Sequence, residues 1–150
     1  MHFIIGGAYN GKRKWVDELL EQDDISDDKI IVLSGRASEK ELASYHVVVW
    51  SRTESWIEAG MKGTANKEAI VEHWKNEVTR LLEWEQGEEG RKLLIIGTDQ
   101  SKGVVPMDKT ARAARDVTGW CYQYTALKAE RVTRVWYGIA EELKQKEESR

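Results

Sequence analysis

Residues 2–12 read His-Phe-Ile-Ile-Gly-Gly-Ala-Tyr-Asn-Gly-Lys, an apolar run that leads into a glycine-rich turn. The spacing Gly6-x-x-x-x-Gly11-Lys12 fits the phosphate-loop pattern up to its last position, and residues 15–20 have the apolar period of a helix. Glycines let successive backbone N–H groups face a phosphate, and the lysine adds a mobile positive charge. The stretch therefore predicts a strand, a phosphate loop and a helix. The alternative is a tight turn that needs glycine only for its backbone.

The predicted phosphate-binding residues are those of the turn and the first positions of the helix. Arg13 stands where the pattern has a serine or threonine, whose hydroxyl would hold Mg²⁺. A guanidinium can meet a phosphate directly, which favours binding without turnover. The predicted nucleotide-binding set is Gly6, Gly7, Ala8, Tyr9, Asn10, Gly11, Lys12 and Arg13.

The bulk composition limits the class of protein. The chain has 150 residues, a formal net charge of -3 and one cysteine, Cys121. This length predicts one domain over residues 1–150, and the slightly acidic charge argues against nucleic acid or an anionic membrane as the partner. No apolar run approaches the roughly 18 residues that span a bilayer, and the first residues lack the basic start of a signal peptide. A lone cysteine fits a reducing compartment, so we expect a cytoplasmic protein.

Short β-branched runs alternate with helical patterns, which is typical of an α/β fold with a largely parallel sheet. The Glu- and Lys-rich tail from Ile139 onward is predicted to be a short helix that frays into solvent. The loop at 97–106 follows the carboxyl end of the fourth predicted strand, where open α/β sheets bind ligands. The predicted strands lie near 2–5, 29–33, 46–50, 92–96 and 132–137, and the predicted helices near 15–20, 38–45, 51–63, 66–84 and 108–129.

The second half of the chain carries a more specific motif. A Gly-x-Val-Pro turn at 103–106 is followed by Arg112, by Arg115-Asp116 and by Gly119. Together with the opening glycine turn, this motif resembles the bifunctional adenosylcobinamide kinase / adenosylcobinamide-phosphate guanylyltransferase family of cobalamin biosynthesis. The resemblance covers about half of the chain. It implies a P-loop (RecA-like) three-layer α/β fold with a mostly parallel central sheet, and a homo-oligomer.

The resemblance also implies an activity and the residues that perform it. The expected activity is ATP- or GTP-dependent phosphorylation of adenosylcobinamide, followed by transfer of GMP from GTP onto the product, with Mg²⁺ as the metal. Lys12 and Asp99 are the implied catalytic residues, because Asp99 falls where the family has an acid after the fourth strand. The implied substrate residues are Gly103, Arg112 and Arg115, although the two arginines have an alternative role as ion-pair partners of Asp108 and Asp116.

Several positions depart from the family. The segment 35–45 contains no histidine that could be guanylylated, and Trp50-Ser51 replaces the acid expected after the third strand. With Arg13, these departures remove the expected metal ligands, so the metal residues stay unassigned. The alternative is that Thr53, Glu54 or Asp99 reaches the metal from an unusual direction and that a weakened kinase activity remains. Three functions remain open: an enzyme reduced to the kinase half, a non-catalytic relative that binds nucleotide or serves as an oligomeric scaffold, and a P-loop kinase for another small molecule.

Overall fold

The computed structural model describes residues 1–7, 11–63, 66–99 and 108–145. Strands and helices alternate along these residues, and no helix among them is both long and apolar enough to cross a bilayer. In chain order the elements are β1 (His2–Gly6), α1 (Lys12–Gln22), a 3-10 turn (Asp27–Lys29), β2 (Ile30–Leu33), α2 (Glu39–Leu42), β3 (Val47–Trp50), α3 (Thr53–Gly63), α4 (Lys67–Gln86), β4 (Lys92–Thr98), α5 (Lys109–Lys128), β5 (Arg131–Trp136) and β6 (Ile139–Lys144).

The six strands form one sheet in the order β2-β3-β4-β1-β5-β6. All neighbouring pairs are parallel except β5 and β6, which are antiparallel. In the centre, β1 pairs with β4 so that Phe3 lies opposite Ile95 and Gly6 lies opposite Thr98. The sequence prediction of an α/β fold with a mostly parallel central sheet is confirmed.

Helices cover both faces of the sheet because successive strand residues point to opposite sides. On one face, Val16 and Leu20 of α1 pack against Ile4 of β1 and against neighbouring strand residues. On the other face, α2, α3, α4 and α5 pack against a second cluster, which includes Phe3 and Ile95. The molecule therefore has three layers, with α1 on one side and the other four helices on the opposite side.

The second cluster is built around aromatic rings. Trp50 of β3 stacks on Trp74 of α4, with ring centroids 4.6 Å apart and an interplanar angle of 22°. Trp56 and Tyr122 meet the ring of Trp74 edge-on at 5.7 and 6.0 Å. The indole Nε1 of Trp74 donates a hydrogen bond to Thr125 Oγ1 at 2.9 Å, so its buried polar group is satisfied. These contacts join β3, α3, α4 and α5 into one packed unit.

The predicted terminal helix is wrong, because residues 139–144 form β6. Tyr137 and Gly138 connect β5 to β6 with φ angles of 49° and 77°. Two consecutive positive φ values are typical of the two-residue hairpin turn whose twist matches that of antiparallel strands. Arg131 then bonds Glu142 across the pair, from Nε at 3.0 Å and from Nη2 at 2.6 Å. The turn and this ion pair select a strand where composition alone suggests a helix.

His2 connects β1 to the same hairpin, and we expect it to make the stability of the fold depend on pH. Its Nε2 lies 2.7 Å from Thr133 Oγ1, and burial together with the charge of Arg131 lowers its pKa to about 4. Since the unfolded chain binds the proton with a pKa near 6.5, the unfolded state holds more protons between these values. We expect the free energy of unfolding to fall by up to about 3 kcal/mol as the pH drops from 6.5 to 4. Urea denaturation at a series of pH values measures this loss.

The variant His2→Gln is the control for this pH dependence, because glutamine can bond Thr133 but does not titrate. The pKa of Glu142 is lowered by its hydrogen bonds with Arg131, so its contribution is lost only at lower pH, below the ordinary carboxyl range. In the variant, the free energy of unfolding should therefore no longer fall between pH 6.5 and 4, whereas its decrease at lower pH should remain. An equal slope in both proteins in that interval would contradict the assignment to His2.

Candidate phosphate-binding site

The turn after β1 lies at a crevice between two neighbouring strands, and the helices that follow these strands pack on opposite faces of the sheet. β1 leads to α1 on one face and its neighbour β4 leads to α5 on the other. Open α/β sheets bind ligands at the carboxyl ends of strands at such a point. The backbone N–H of Asp99 donates to Gly6 O at 2.8 Å, so the end of β4 is bonded directly to the start of the turn. The structure thus brings Asp99 to the predicted phosphate turn.

The backbone at Gly6 and Gly11 requires glycine for different reasons. A Cβ on Gly6 would lie 2.3 Å from the carbonyl oxygen of Val135 in β5 and 3.3 Å from Lys12 Cδ. Gly11 caps α1 in the left-handed conformation, with φ of 85°. Gly7 directly follows β1, whereas the predicted ligands Ala8, Tyr9 and Asn10 lie outside the described residues. Both ends of the turn are therefore fixed where a side chain does not fit or is strained.

Lys12, the first residue of α1, is held against the turn. Its side chain is buried, with 8% of the residue exposed, and Nζ donates to Gly6 O at 3.2 Å and to Gly7 O at 2.7 Å. Burial lowers the pKa of this ammonium group, while the nearby carboxylates of Glu54 and Asp99 oppose that shift. A desolvated cation at this edge interacts more strongly with an anion than an exposed one does.

Arg13 lies on the outer side of α1. Its Nε donates to Asp17 Oδ1 at 3.0 Å, one helical turn further on, and about half of the side chain is exposed. The guanidinium group predicted to meet phosphate is thus partly occupied by an ion pair within the helix. Exposed pairs of this kind contribute only about 0.3–0.5 kcal/mol, so an incoming anion can compete with Asp17.

The connection between β3 and α3 contains Arg52, which the sequence analysis did not assign, and Thr53, which was an alternative metal ligand there. Arg52 follows Ser51 at the end of β3 and has a positive φ of 56°. Thr53 is fully buried, and its Oγ1 donates to Ile96 O at 2.8 Å and also lies 2.8 Å from the hydroxyl of Tyr122. Arg52 could have been found by position, because it follows a buried parallel strand at the same edge as Lys12.

A cavity of about 400 Å³ opens beside the turn, over the ends of β3 and β4. This volume is within the range of small-molecule sites, roughly 300–1,000 Å³. A larger cavity of about 730 Å³ lies near Met1, Leu93 and Arg131, at the amino ends of the strands, which is the edge that open α/β sheets do not use for ligands. The cationic side chains that line the smaller cavity are Lys12, Arg13, Lys14 and Arg52.

The described residues gather no cluster of metal-ligating side chains at this edge. Glu54 and Asp99 are the carboxylates that act on Lys12, but no group of three His, Cys, Asp or Glu side chains is gathered anywhere in the part of the chain that the structure describes. The hydroxyl of Thr53 is already bonded in the interior. Mg²⁺ at nucleotide sites is usually held by one or two carboxylates together with water and substrate phosphates, so Glu54 and Asp99 are the described side chains that could contact it.

Of the predicted substrate residues, Arg112 and Arg115 do not line this cavity. Arg112 is exposed in the first turns of α5 and Arg115 is partly buried there, while Gly103 lies outside the described residues. Among the described residues, none from α5 lines the cavity beside the turn. Asp108 and Asp116, the alternative ion-pair partners of these arginines, have other contacts. Asp108 Oδ1 accepts from Thr110 N at 3.1 Å as a helix cap, and the Asp116 carboxylate lies 3.5 Å from Lys67 Nζ.

The parallel sheet, the glycine turn after β1 and the buried lysine at the start of α1 are those of a P-loop-type fold. The family model described as cobinamide kinase / cobinamide phosphate guanyltransferase matches residues 33–143, and the chain belongs to this family. The match begins at the last residue of β2, so it does not include the phosphate turn. A comparison with curated proteins finds no match.

Proposed function

We propose that this chain is a kinase that binds GTP or ATP at the turn after β1 and phosphorylates adenosylcobinamide. Residues 1–150 would form one nucleotide-binding domain, and homo-oligomer formation remains a prediction. The observation that carries the proposal is the buried ammonium group of Lys12, which lies against a glycine-only backbone at the carboxyl ends of β1 and β4. The family match supports the choice of acceptor, and the geometry supports the place where nucleotide binds.

Phosphoryl transfer requires the site to position the two reactants and to stabilise negative charge. In phosphoryl transfer an acceptor oxygen forms a bond to the terminal phosphorus while the bond from that phosphorus to the leaving nucleoside diphosphate breaks, and enzymes contribute chiefly position and charge. Lys12 would stabilise the negative charge on the phosphoryl oxygens. Asp99, bonded through its backbone to Gly6, is our candidate for accepting the proton of the attacking hydroxyl.

The guanylyltransferase half of the family reaction is not part of the proposal. The segment 35–45, which runs from the end of β2 through α2, contains no histidine to carry a guanylyl group. Ser38 and Glu41 instead cap α2, where Glu41 N donates to Ser38 Oγ at 3.2 Å. We therefore propose the kinase activity alone.

The second candidate is a relative that binds nucleotide without turnover. Two observations favour it: no group of three His, Cys, Asp or Glu side chains is gathered among the described residues, and Trp50-Ser51 replaces the acid expected after β3. Phosphoryl transfer in P-loop enzymes normally relies on Mg²⁺. A scaffold or sensor would keep the turn and lose the reaction.

One experiment separates the two candidates. GTP and ATP are titrated calorimetrically into the full chain, with Mg²⁺ and with EDTA, and any binding mixture is then assayed for phosphate transfer to adenosylcobinamide. Binding with transfer would establish the kinase. Binding without transfer would favour the non-catalytic relative, and the absence of binding to either nucleotide would overturn both proposals.

A further inference from the structure

Arg52 occupies an unusual backbone position at the wall of the cationic cavity. Its φ of 56° is in the left-handed region, which costs a non-glycine residue free energy. The surrounding hydrogen bonds hold the chain there: Ser51 N donates to Leu33 O at 2.8 Å, and the N–H groups of Ser55 and Trp56 donate to Arg52 O at 3.1 and 3.3 Å. The backbone of Arg52 is therefore fixed by the ends of β2 and α3.

The side chain of Arg52 is exposed at the cavity and forms no ion pair or side-chain hydrogen bond with any residue that the structure describes. Arg13 differs, because Asp17 accepts from its Nε. A guanidinium fork presents five N–H donors in a plane that suits phosphate oxygens. Arg52 thus keeps its donors available at the edge where Lys12 is also found.

The charges around the cavity come from two separate elements. Lys12, Arg13 and Lys14 belong to the first turn of α1, whereas Arg52 follows β3 on the neighbouring side. No Asp or Glu side chain is among the described residues that line the cavity. Cations on both sides of a cavity of about 400 Å³ match an extended anion with several charges better than they match a single phosphate.

We propose that Arg52, together with Lys12 and Lys14, binds the polyphosphate group of a nucleotide without a divalent cation. The protein's own cations then neutralise the charge that Mg²⁺ neutralises in most nucleotide sites. The inference rests on the proposed function, since the ligand is the same nucleotide, and it goes further by assigning Arg52 as a ligand-binding residue and by removing the metal from the binding step.

Calorimetry with the full chain in EDTA tests this inference, with inorganic tripolyphosphate and GTP as the two probes. Wild-type protein is expected to bind both with dissociation constants that differ less than about threefold between EDTA and Mg²⁺. Arg52→Gln should weaken binding of both probes about tenfold to hundredfold, the range for a charged hydrogen bond. Arg36→Gln is the matched control, because the Arg36 side chain is 71% exposed, lies against Glu77 and does not line the cavity.

A second variant separates the guanidinium from the backbone. Arg52→Gly favours the observed positive φ, so it should keep the fold and lose binding to the same extent as Arg52→Gln. The inference fails if wild-type binding requires Mg²⁺, or if both Arg52 variants bind as the wild type does.

The results also separate this inference from the nucleotide proposal. Arg52-dependent binding of tripolyphosphate, with no binding of GTP or ATP, would support a metal-free polyanion site and contradict the kinase. GTP binding that requires Mg²⁺ and has the same dissociation constant in the wild type and in both Arg52 variants would support the kinase site and overturn the inference. If neither probe binds, both are overturned.

Discussion

Replacing Lys12 with methionine is expected to weaken nucleotide binding about tenfold to hundredfold, which corresponds to a charged hydrogen bond of about 1.5–3 kcal/mol. Methionine keeps an unbranched apolar stem in the buried space and removes the ammonium group that donates to Gly6 and Gly7. Calorimetric titration with GTP and ATP measures the loss. We expect stability to change little, because removing the buried charge relieves a desolvation cost that offsets the loss of the two hydrogen bonds.

Lys40→Met is the control for this substitution, because Lys40 is exposed on α2. It removes the same charge from the chain and should leave nucleotide affinity unchanged. Circular dichroism of both variants checks that the fold is intact. If the folded Lys12→Met protein binds with wild-type affinity, the turn is only a tight connection between β1 and α1 and the phosphate assignment is wrong.

Replacing Trp74 with alanine is expected to lower the free energy of unfolding by about 3–5 kcal/mol, the range for removing a large aromatic side chain from a core. Trp74 is fully buried, stacks on Trp50 and bonds Thr125 through its indole N–H. The substitution removes those contacts and leaves a cavity between α4 and β3. Urea denaturation followed by circular dichroism measures the change.

Trp120→Ala makes the same chemical change on the surface. The Trp120 residue is 44% exposed, and its ring lies 5.8 Å from Lys67 Nζ, a cation–π contact of about 0.5–1 kcal/mol. We expect this variant to lose no more than that amount. Similar losses for the two variants would mean that the aromatic cluster is not the main source of stability on this face of the sheet.

The parts of the fold that could be predicted from the sequence are those with a clear apolar pattern, either periodic in helices or continuous in buried strands. The strands around Ile4, Val48 and Ile95 are buried on both faces, so their apolar runs are unbroken and easy to recognise. β6 lacks this signal because every residue in it is exposed. Its conformation depends on the turn at Gly138 and on partners in β5, which are tertiary contacts that local composition does not record.

The part of the candidate site that could be predicted consists of residues that belong to local sequence motifs. The glycine turn and Lys12 form one motif, and Asp99 was assigned because it falls where the family has an acid after the fourth strand. Arg52 belongs to no motif, and the sequence analysis did not assign it although it follows a buried strand. The strand order, which puts β3 next to β4, places it at the cavity. The pairing of Arg13 with Asp17 was equally hidden, because side-chain direction on a helix decides it.

The hairpin of β5 and β6 also makes the two edges of the sheet unequal. β6 closes one edge with Glu141, Glu142 and Lys144, and charged residues on an edge strand discourage pairing with another chain. The opposite edge is β2, which is apolar throughout and leaves Val32 41% exposed. We therefore expect β2 to be the edge at which another chain could add a strand and start aggregation. The shortness of β2 and the charged residues 27–29 that precede it oppose such pairing.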